Sequence, residues 1–323
     1  DHDEHEGMDE ASIAEHEQVT KVKNVNTIIL GRAQMDTWYF SPYPKELFLN
    51  GSSLDKMYLC EFCLKFFARK VELERHCNKC LLKHPPGNEI YRHKGIAMYE
   101  VDGAKQQIYC QNLCYMAKLF LDHKTLYYDV EPFLFYVMCE VDDYGFHIVG
   151  YYSKEKYSEQ GFNLACILTL PAYQRKGYGR FLIQFSYELS KVERRVGSPE
   201  KPLSDLGLLS YRSFWSYEIA AYIQSQIKHL EEGERLSLSI NDIAEATSFM
   251  TDDIIGTLQF LGILRYVYGK GDYVIIADSE TLDKLTEKKP RGPIVEPEKL
   301  HWAPLQIDVK RDKFTLSNHL GVD

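Results

Sequence analysis

Polar and acidic residues fill the first twenty positions with no hydrophobic period, so disorder is expected there. Apolar positions then arrive in short runs. Thr27 to Leu30 and Trp38 to Phe40 are predicted as strands around a turn at Gly31, ended by Pro42 and Pro44. Residues 97–170 look strand-rich: Ala97 to Val101 followed by Asp102-Gly103 carries a hairpin signal, and Phe133 to Val141, a turn at Asp142 to Gly145 and Phe146 to Tyr152 carry a longer one. Asn163 to Leu170 is almost wholly apolar and is predicted as a strand in the middle of a sheet. The period then changes from two to about 3.6. From Gly177 to Glu193 the residues Phe181, Leu182, Phe185 and Leu189 share one face, so the sheet is expected to feed directly into a helix. Ser239 to Thr247 and Thr251 to Leu261 predict two short helices, and Leu264 to Tyr268 with Tyr273 to Ile276 a hairpin, together a winged helix-turn-helix pattern. Lys288 to Pro293 reads as a linker, and the last twenty residues carry no structural signal.

Composition narrows the class. The chain of 323 residues is long enough for roughly two domains at ~150 residues each, and 45% hydrophobic with 26% charged residues excludes bulk disorder. The densest apolar run, the seven residues Phe133 to Cys139, falls far short of the ~18 that span a bilayer, so a soluble protein without a membrane partner is expected. Of the 47 acidic residues, eight lie within residues 1–17, which hold no Lys or Arg; the remaining 39 face 38 basic residues. The net charge of -9 therefore belongs to the tail, and a nearly neutral body argues against a broad nucleic-acid footprint. The chain opens on Asp and shows no signal-peptide pattern, so it is expected to be a piece of something longer.

Eight cysteines in a chain of this length make no disulfide framework. Cys60-x2-Cys63, then twelve residues, then His76-x3-Cys80 has the spacing of a structural zinc site. Val71 to Cys80 is predicted as a helix that brings His76 and Cys80 onto one face, and Cys77 lies off that face. Four protein ligands close the tetrahedron, which makes the ion structural, and reduced thiols imply an intracellular compartment. A lone finger with Glu72 and Glu74 on its helix is better suited to docking on the rest of the chain than to reading DNA.

The segment Pro171 to Arg180 joins the buried strand to the helix. Its Gln174-Arg175-x-Gly177-x-Gly179 pattern puts small residues where backbone N–H groups and the positive end of a helix can meet an anion. No Gly-Lys-Ser/Thr follows, and Leu182 stands where a dinucleotide fingerprint needs its third glycine. A phosphate cradle of neither common type is the expectation, with a plain tight turn as the alternative.

The finger, the strings His84 to Tyr91, Leu121 to Tyr127, Ala165 to Leu170, Gln174 to Gly179 and Pro199 to Gly207, and their order together resemble the MYST family of histone acetyltransferases over about residues 24–302. Within it they look most like the branch that supplies the catalytic subunit of the nucleosomal H4 acetyltransferase complex. The resemblance implies an α/β (α+β) fold: a GNAT-like acetyl-CoA-binding core with a mixed sheet, an N-terminal C2HC zinc finger and a C-terminal winged helix-turn-helix unit. It divides the chain into an acidic tail (1–23), the family domain (24–302, with the finger at 57–82, the core at 97–205 and the helical unit at 206–285) and a C-terminal tail (303–323).

The resemblance also assigns roles. Gln174, Arg175, Lys176, Gly177, Tyr178, Gly179 and Arg180 would wrap the pyrophosphate of acetyl-CoA, with Ile167, Leu168 and Thr169 along the pantetheine and thioester. Ser204 and Ser213 would also touch the cofactor, although Ser204 equally suits an N-cap for a helix starting near Asp205. Glu200 matches the catalytic glutamate, where the residues alone say only a loop charge. Because free lysine is protonated at neutral pH, such a base is required. Cys166 matches a cysteine near the thioester; no His or Arg neighbours it in sequence, which favours direct transfer over an acyl-cysteine route. Lys124 matches a lysine that the family autoacetylates, beside the aromatic pair Tyr127-Tyr128. Implied partners are histone tails and nucleosomes, with H4 favoured over H2A or H3, and scaffold subunits of a complex, in the nucleus. Residues 251–261 contain two acids and no base, so sequence-specific DNA binding is not expected. A non-catalytic chromatin adaptor is the alternative, and it would tolerate loss of Glu200 or of the cradle.

Overall fold

The computed structural model describes residues 22–48, 51–124, 129–230, 236–269 and 272–305. The acidic tail before residue 22, the tail beyond 305, Tyr127 and Tyr128 lie outside these residues. Among the described residues no helix is long and apolar enough to cross a membrane.

In chain order the elements are β1 (Val25–Leu30), β2 (Ala33–Asp36), β3 (Leu54–Leu59), β4 (Phe66–Phe67), α1 (Lys70–Cys77), β5 (Asn88–His93), β6 (Ile96–Asp102), α2 (Gln107–Lys118), β7 (Phe133–Asp142) and β8 (Gly145–Glu155). They continue with β9 (Phe162–Leu164), β10 (Cys166–Thr169), α3 (Tyr178–Val192), β11 (Ser198–Pro199), α4 (Asp205–Ile227), α5 (Ile240–Thr247), α6 (Thr251–Phe260), β12 (Leu264–Val267), β13 (Asp272–Ile275) and α7 (Ser279–Glu287). The architecture is mixed α and β, with a five-stranded sheet of order β10-β8-β7-β6-β5 at its centre. Every pairing in that sheet is antiparallel. The N-terminal sheet, β2-β1-β3-β4, is mixed, because β1 runs parallel to β3 and antiparallel to β2.

Strand β7 is apolar on both faces because both faces are covered. Phe135, Val137 and Cys139 enter a core shared with α2 and the N-terminal sheet, through Leu113, Ala117, Ile28 and Met57. Leu134, Tyr136 and Met138 point the other way, onto Phe181, Leu182, Phe185 and Leu189 of α3, the four residues expected to share a face. A third cluster joins Ile183 and Tyr187 of α3 to Phe214 and Trp215 of α4 and to Phe249, Ile254 and Leu258.

Several boundaries differ from expectation. Asn163–Leu170 is not a central strand: it splits at Ala165 into β9 and β10, and β10 occupies the edge of the sheet, paired to β8 alone. It is apolar all the same because Leu168 enters the α2-side core while Ile167 packs toward α3. Asp102-Gly103 is not a hairpin turn. Strand β6 makes its hairpin with the preceding strand β5, Asp102 itself faces Leu134 of β7, and the Asp102 carboxylate accepts from the Ala104 N–H (2.9 Å) on the way into α2. Gly103 is required for contact, since a Cβ would lie 1.8 Å from the Val130 carbonyl oxygen. Trp38–Phe40 is no strand; the N–H groups of Trp38 and Tyr39 both donate to Leu119 O at the end of α2. The zinc-site helix ends at Cys77, yet Cys80 N–H still donates to His76 O at 2.8 Å, so the one-turn relation of the two residues survives.

The segment read as a linker packs back onto the core. Gly177 and Gly292 face each other so closely that a Cβ on either would stand 2.1 Å from the other segment's carbonyl oxygen. Val295 is buried and bracketed by the Gln184 side chain, His301 N–H donates to Ile90 O, and Trp302 Nε1 donates to Glu100. Helices α5 and α6 and the hairpin β12–β13 appear where the pattern predicts them, and α7 was not foreseen.

The third cluster depends on Phe249, which lies 4.6 Å from the Tyr187 ring and 5.8 Å from that of Phe214 and is 1% exposed. Phe249→Ala is expected to cost about 3–5 kcal/mol, measured as a lowered denaturant midpoint.

Candidate active site and metal centre

Cys60, Cys63, His76 and Cys80 converge, their ligand atoms all within 4.8 Å of one another. Cys63 Sγ lies 3.2 Å from His76 Nε2, and Cys60 Sγ 3.9 Å from Cys80 Sγ. Three thiols and one imidazole in a closed set are the donors of a structural zinc ion. Hydrogen bonding from Cys63 holds the Cys60 thiol well below its ordinary range and pushes Cys63 up. Helix α1 has eight residues and buries none of them, so neither packing nor length can hold it. The metal must supply that anchor. The knuckle docks on the β7–β8 hairpin, where His147 Nδ1 meets the Glu61 carboxylate at 2.8 Å and His147 Nε2 meets Asp142 at 2.7 Å. Exposed Cys77 stands outside the ligand set.

The second site lies where β10 runs out into α3. The residues between them turn sharply: Arg175 has φ +64° and Gly177, the N-cap of α3, has φ +86°. A left-handed backbone with a carbonyl 2.1 Å from the place of a Cβ admits only glycine at 177. Phe181 N–H is the first donor to close a turn of α3, onto Gly177 O at 3.1 Å. The N–H groups of Tyr178, Gly179 and Arg180 therefore have no intrahelical acceptor and point out of the positive end of a fifteen-residue helix. Gln174 Nε2 donates to Thr169 O at 3.1 Å, and a Cβ on Gly179 would sit 3.5 Å from Thr169 Oγ1, so loop, strand end and helix start are one unit.

The cationic side chains of this loop have partners of their own. Lys176 Nζ is 3.3 Å from Glu140, over the rings of Tyr173 and Tyr178. Tyr178 donates its hydroxyl to the same carboxylate. Arg180 pairs with Glu218 and lies against Phe214 and Tyr217 of α4. Arg175 is exposed. Backbone amides, more than side-chain charge, are what this turn can offer to an anion.

Across β9 lies the turn that carries Glu200. Strand β11 pairs in parallel with β9, and Glu200 N–H donates to Leu164 O at 2.8 Å, two residues before Cys166. Glu200 is exposed, yet desolvation by the surrounding chain raises its carboxyl above the ordinary glutamate range; the nearby Glu155 raises it further, and Lys124 opposes both. Cys166 is half-buried, its Sγ 3.5 Å from the Tyr151 hydroxyl. Ser204 is the N-cap of α4 and accepts from Gly207 N–H at 3.1 Å; Ser213 is exposed one residue before Phe214, which Arg180 covers.

The structure thus gathers Cys166 to Thr169 with Gln174 to Arg180, and ties Glu200 to β9, the strand that leads into Cys166. Leu168 is 5% exposed and faces the core, so its side chain has little surface to offer a ligand. Sequence reasoning missed Glu140 beneath the cradle and Glu155 beside Glu200, and no local motif marks either.

Comparison with known proteins gives a consistent class. Residues 84–300 match the MOZ/SAS family, and residues 22–80 match the MYST family zinc finger domain. The chain belongs to the MOZ/SAS family. It is 55% identical over 301 residues to "Histone acetyltransferase of the MYST family 2" of Arabidopsis thaliana, covering 93% of this chain and 64% of that one. It is 50% identical over 296 residues to "Histone acetyltransferase Tip60 homolog" of Caenorhabditis elegans, covering 91% and 63%. Against "Histone acetyltransferase ESA1" of Saccharomyces cerevisiae it is 51% identical over 290 residues, covering 89% and 62%. The chain spans less than two thirds of the length of each of these relatives.

Chelation of zinc is expected to abolish hydrogen-exchange protection in α1 while β6, β7 and β8 keep theirs. Metal analysis of the purified chain should return about one zinc per chain, and Cys80→Ala should lower that occupancy severalfold.

Proposed function

We propose that this chain is the catalytic domain of a histone lysine acetyltransferase that moves an acetyl group from acetyl-CoA to a lysine amine of histone tails, H4 in particular, with Glu200 as general base. The observation that carries the reading is the meeting of three features along the continuous β9–β10 segment: the outer edge of β10, the open N–H groups at the start of α3 that follows it, and the Glu200 turn bonded to Leu164 at the end of β9. Acetyl-CoA supplies the acetyl group as a thioester, whose C–S bond breaks as the new N–C bond forms. The amides of Tyr178, Gly179 and Arg180 suit its pyrophosphate, and Thr169 and Ile167 suit the chain that follows. Ser213, and Ser204 beyond its capping role, would close the site from α4.

Glu200 takes the proton of the incoming ammonium. Desolvation and Glu155 bring its carboxyl nearer to neutrality, which suits a base that must both accept a proton and exist as the anion. Lys124 is half-buried and works against this shift. Its autoacetylation would remove a positive charge and let the Glu200 carboxyl rise further. The neighbour of Cys166 is a buried phenol and not a base, which supports direct transfer from acetyl-CoA to lysine with Cys166 as a wall of the site. The 24–302 segment would form one functional domain, its C-terminal helices and hairpin a winged helix-turn-helix unit that supports the site. Acting on histones, it would work in the nucleus, and it would do so with scaffold subunits of a larger complex.

Glu200→Gln is expected to lower turnover on an H4 tail peptide by about 10²–10⁴-fold with acetyl-CoA affinity retained. In the wild-type protein the rate should climb with pH through the raised Glu200 value, because only the anion is a base, and that limb should vanish in the variant. Near wild-type turnover would return the chain to an adaptor role or turn attention to Cys166.

A further inference from the structure

The turn that carries Glu200 is held from two sides, and the second hold comes from the C-terminal helices. On one side β11 pairs with β9 and Glu200 N–H reaches Leu164. On the other, Gly197 N–H donates to Ser248 O at 2.8 Å, and Met250 N–H returns a bond to Gly197 O at 3.3 Å. Three residues further on stands Asp253, in the first turn of α6 and 6% exposed. Its two carboxylate oxygens are divided between the flanks of Glu200: Oδ2 accepts from Ser198 Oγ at 2.6 Å, and Oδ1 from Lys201 Nζ at 2.8 Å. Ser198 is fully buried. A buried carboxylate is costly unless paired and hydrogen-bonded, and this one is both, at the favourable end of a helix dipole.

We propose that Asp253 is a positioning residue for Glu200: it clamps Ser198 and Lys201 so that Glu200, which lies between them, projects toward the edge of β10. The proposal rests on the reading of Glu200 as general base. It gives the helices around α6 a role in the chemistry in place of base reading in DNA. The charged groups that act on Glu200 come from other elements, Glu155 from β8 and Lys124 from the segment after α2, while Asp253 faces Ser198, Lys201 and the buried phenols Tyr187 and Tyr211. Asp253 therefore acts through the backbone it holds. Freed from it, the turn moves and Glu200 becomes better hydrated.

The test compares Asp253→Asn, Lys201→Met, the double variant and Glu200→Gln on an H4 tail peptide, with kcat, the KM for acetyl-CoA and the pH–rate profile measured for each. Asp253→Asn is expected to lower kcat by about 30- to 100-fold, the scale of a misplacement near 1 Å, to leave the acetyl-CoA KM within about twofold, and to move the acid limb down toward an ordinary glutamate. Lys201→Met removes one half of the clamp from a half-exposed side chain. It should lower kcat about threefold with the same displacement of the limb, and the double variant should be no worse than Asp253→Asn alone. An unmoved acid limb, a cofactor KM that rises in proportion to the loss, or wild-type kinetics in Lys201→Met overturns the proposal. Wild-type turnover in Glu200→Gln instead removes the base on which it rests, whatever Asp253→Asn does.

Discussion

The double-sided burial of β7 is the constraint from which the other placements follow. A strand with Phe135, Val137 and Cys139 on one face and Leu134, Tyr136 and Met138 on the other has no solvent face, so the sheet must be covered twice. Helix α2 and the N-terminal sheet cover one side and α3 the other. For α3 to lie there it must leave the sheet at an edge and turn back over it. That requirement places β10 at the edge and the glycine turn at its end. The anion cradle is thus located by packing, and its chemistry comes from the helix N-terminus that packing exposes.

The same arrangement fixes the shape of the cradle. Glu140, on the covered strand, receives both Lys176 and Tyr178, while Glu218 receives Arg180. The returning C-terminal segment presses Gly292 against Gly177. Each contact fixes the loop from a different part of the chain, so the open N–H groups are set in place by elements separated by more than a hundred residues. A preorganised array of amides of this kind needs little rearrangement to receive an anion. The zinc centre follows a different rule, in which four side chains around one ion hold a helix that buries nothing.

Glu200 illustrates how a short turn acquires a specific environment. Alone, a glutamate between prolines is an ordinary surface charge. Here β9 on one side and the Gly197–Met250 bridge on the other hold its backbone, desolvation and Glu155 raise its carboxyl, and Lys124 moderates the effect. Helices α5 and α6 belong to the same cluster as α3 through Phe249, Tyr187 and Phe214, so the unit behind the turn is joined to the core by aromatic packing. In the acidic first turn of α6, Asp253 is the residue turned inward, whereas Asp252 is exposed.

By itself the sequence determined what is local. The spacing of Cys60, Cys63, His76 and Cys80, the helical period of Phe181 to Leu189, the β7–β8 hairpin and the glycine pattern of Gln174 to Gly179 each lie within a few turns of chain, and short-range geometry reads them directly. Errors arose where a local signal competed with a distant neighbour. Asp102-Gly103 carries a hairpin signature, yet Gly103 is there to let Val130 approach, and the chain goes on into α2. Asn163 to Leu170 has the composition of a central strand, but an edge strand covered on both faces has the same composition, and only the pairing of β8 distinguishes them. Lys288 to Pro293 has the residues of a linker and packs against the cradle. Glu140, Glu155 and Asp253 gained their significance only from tertiary structure, because a carboxylate's role depends on the charges and donors brought within hydrogen-bond reach, and those come from residues far away in the chain.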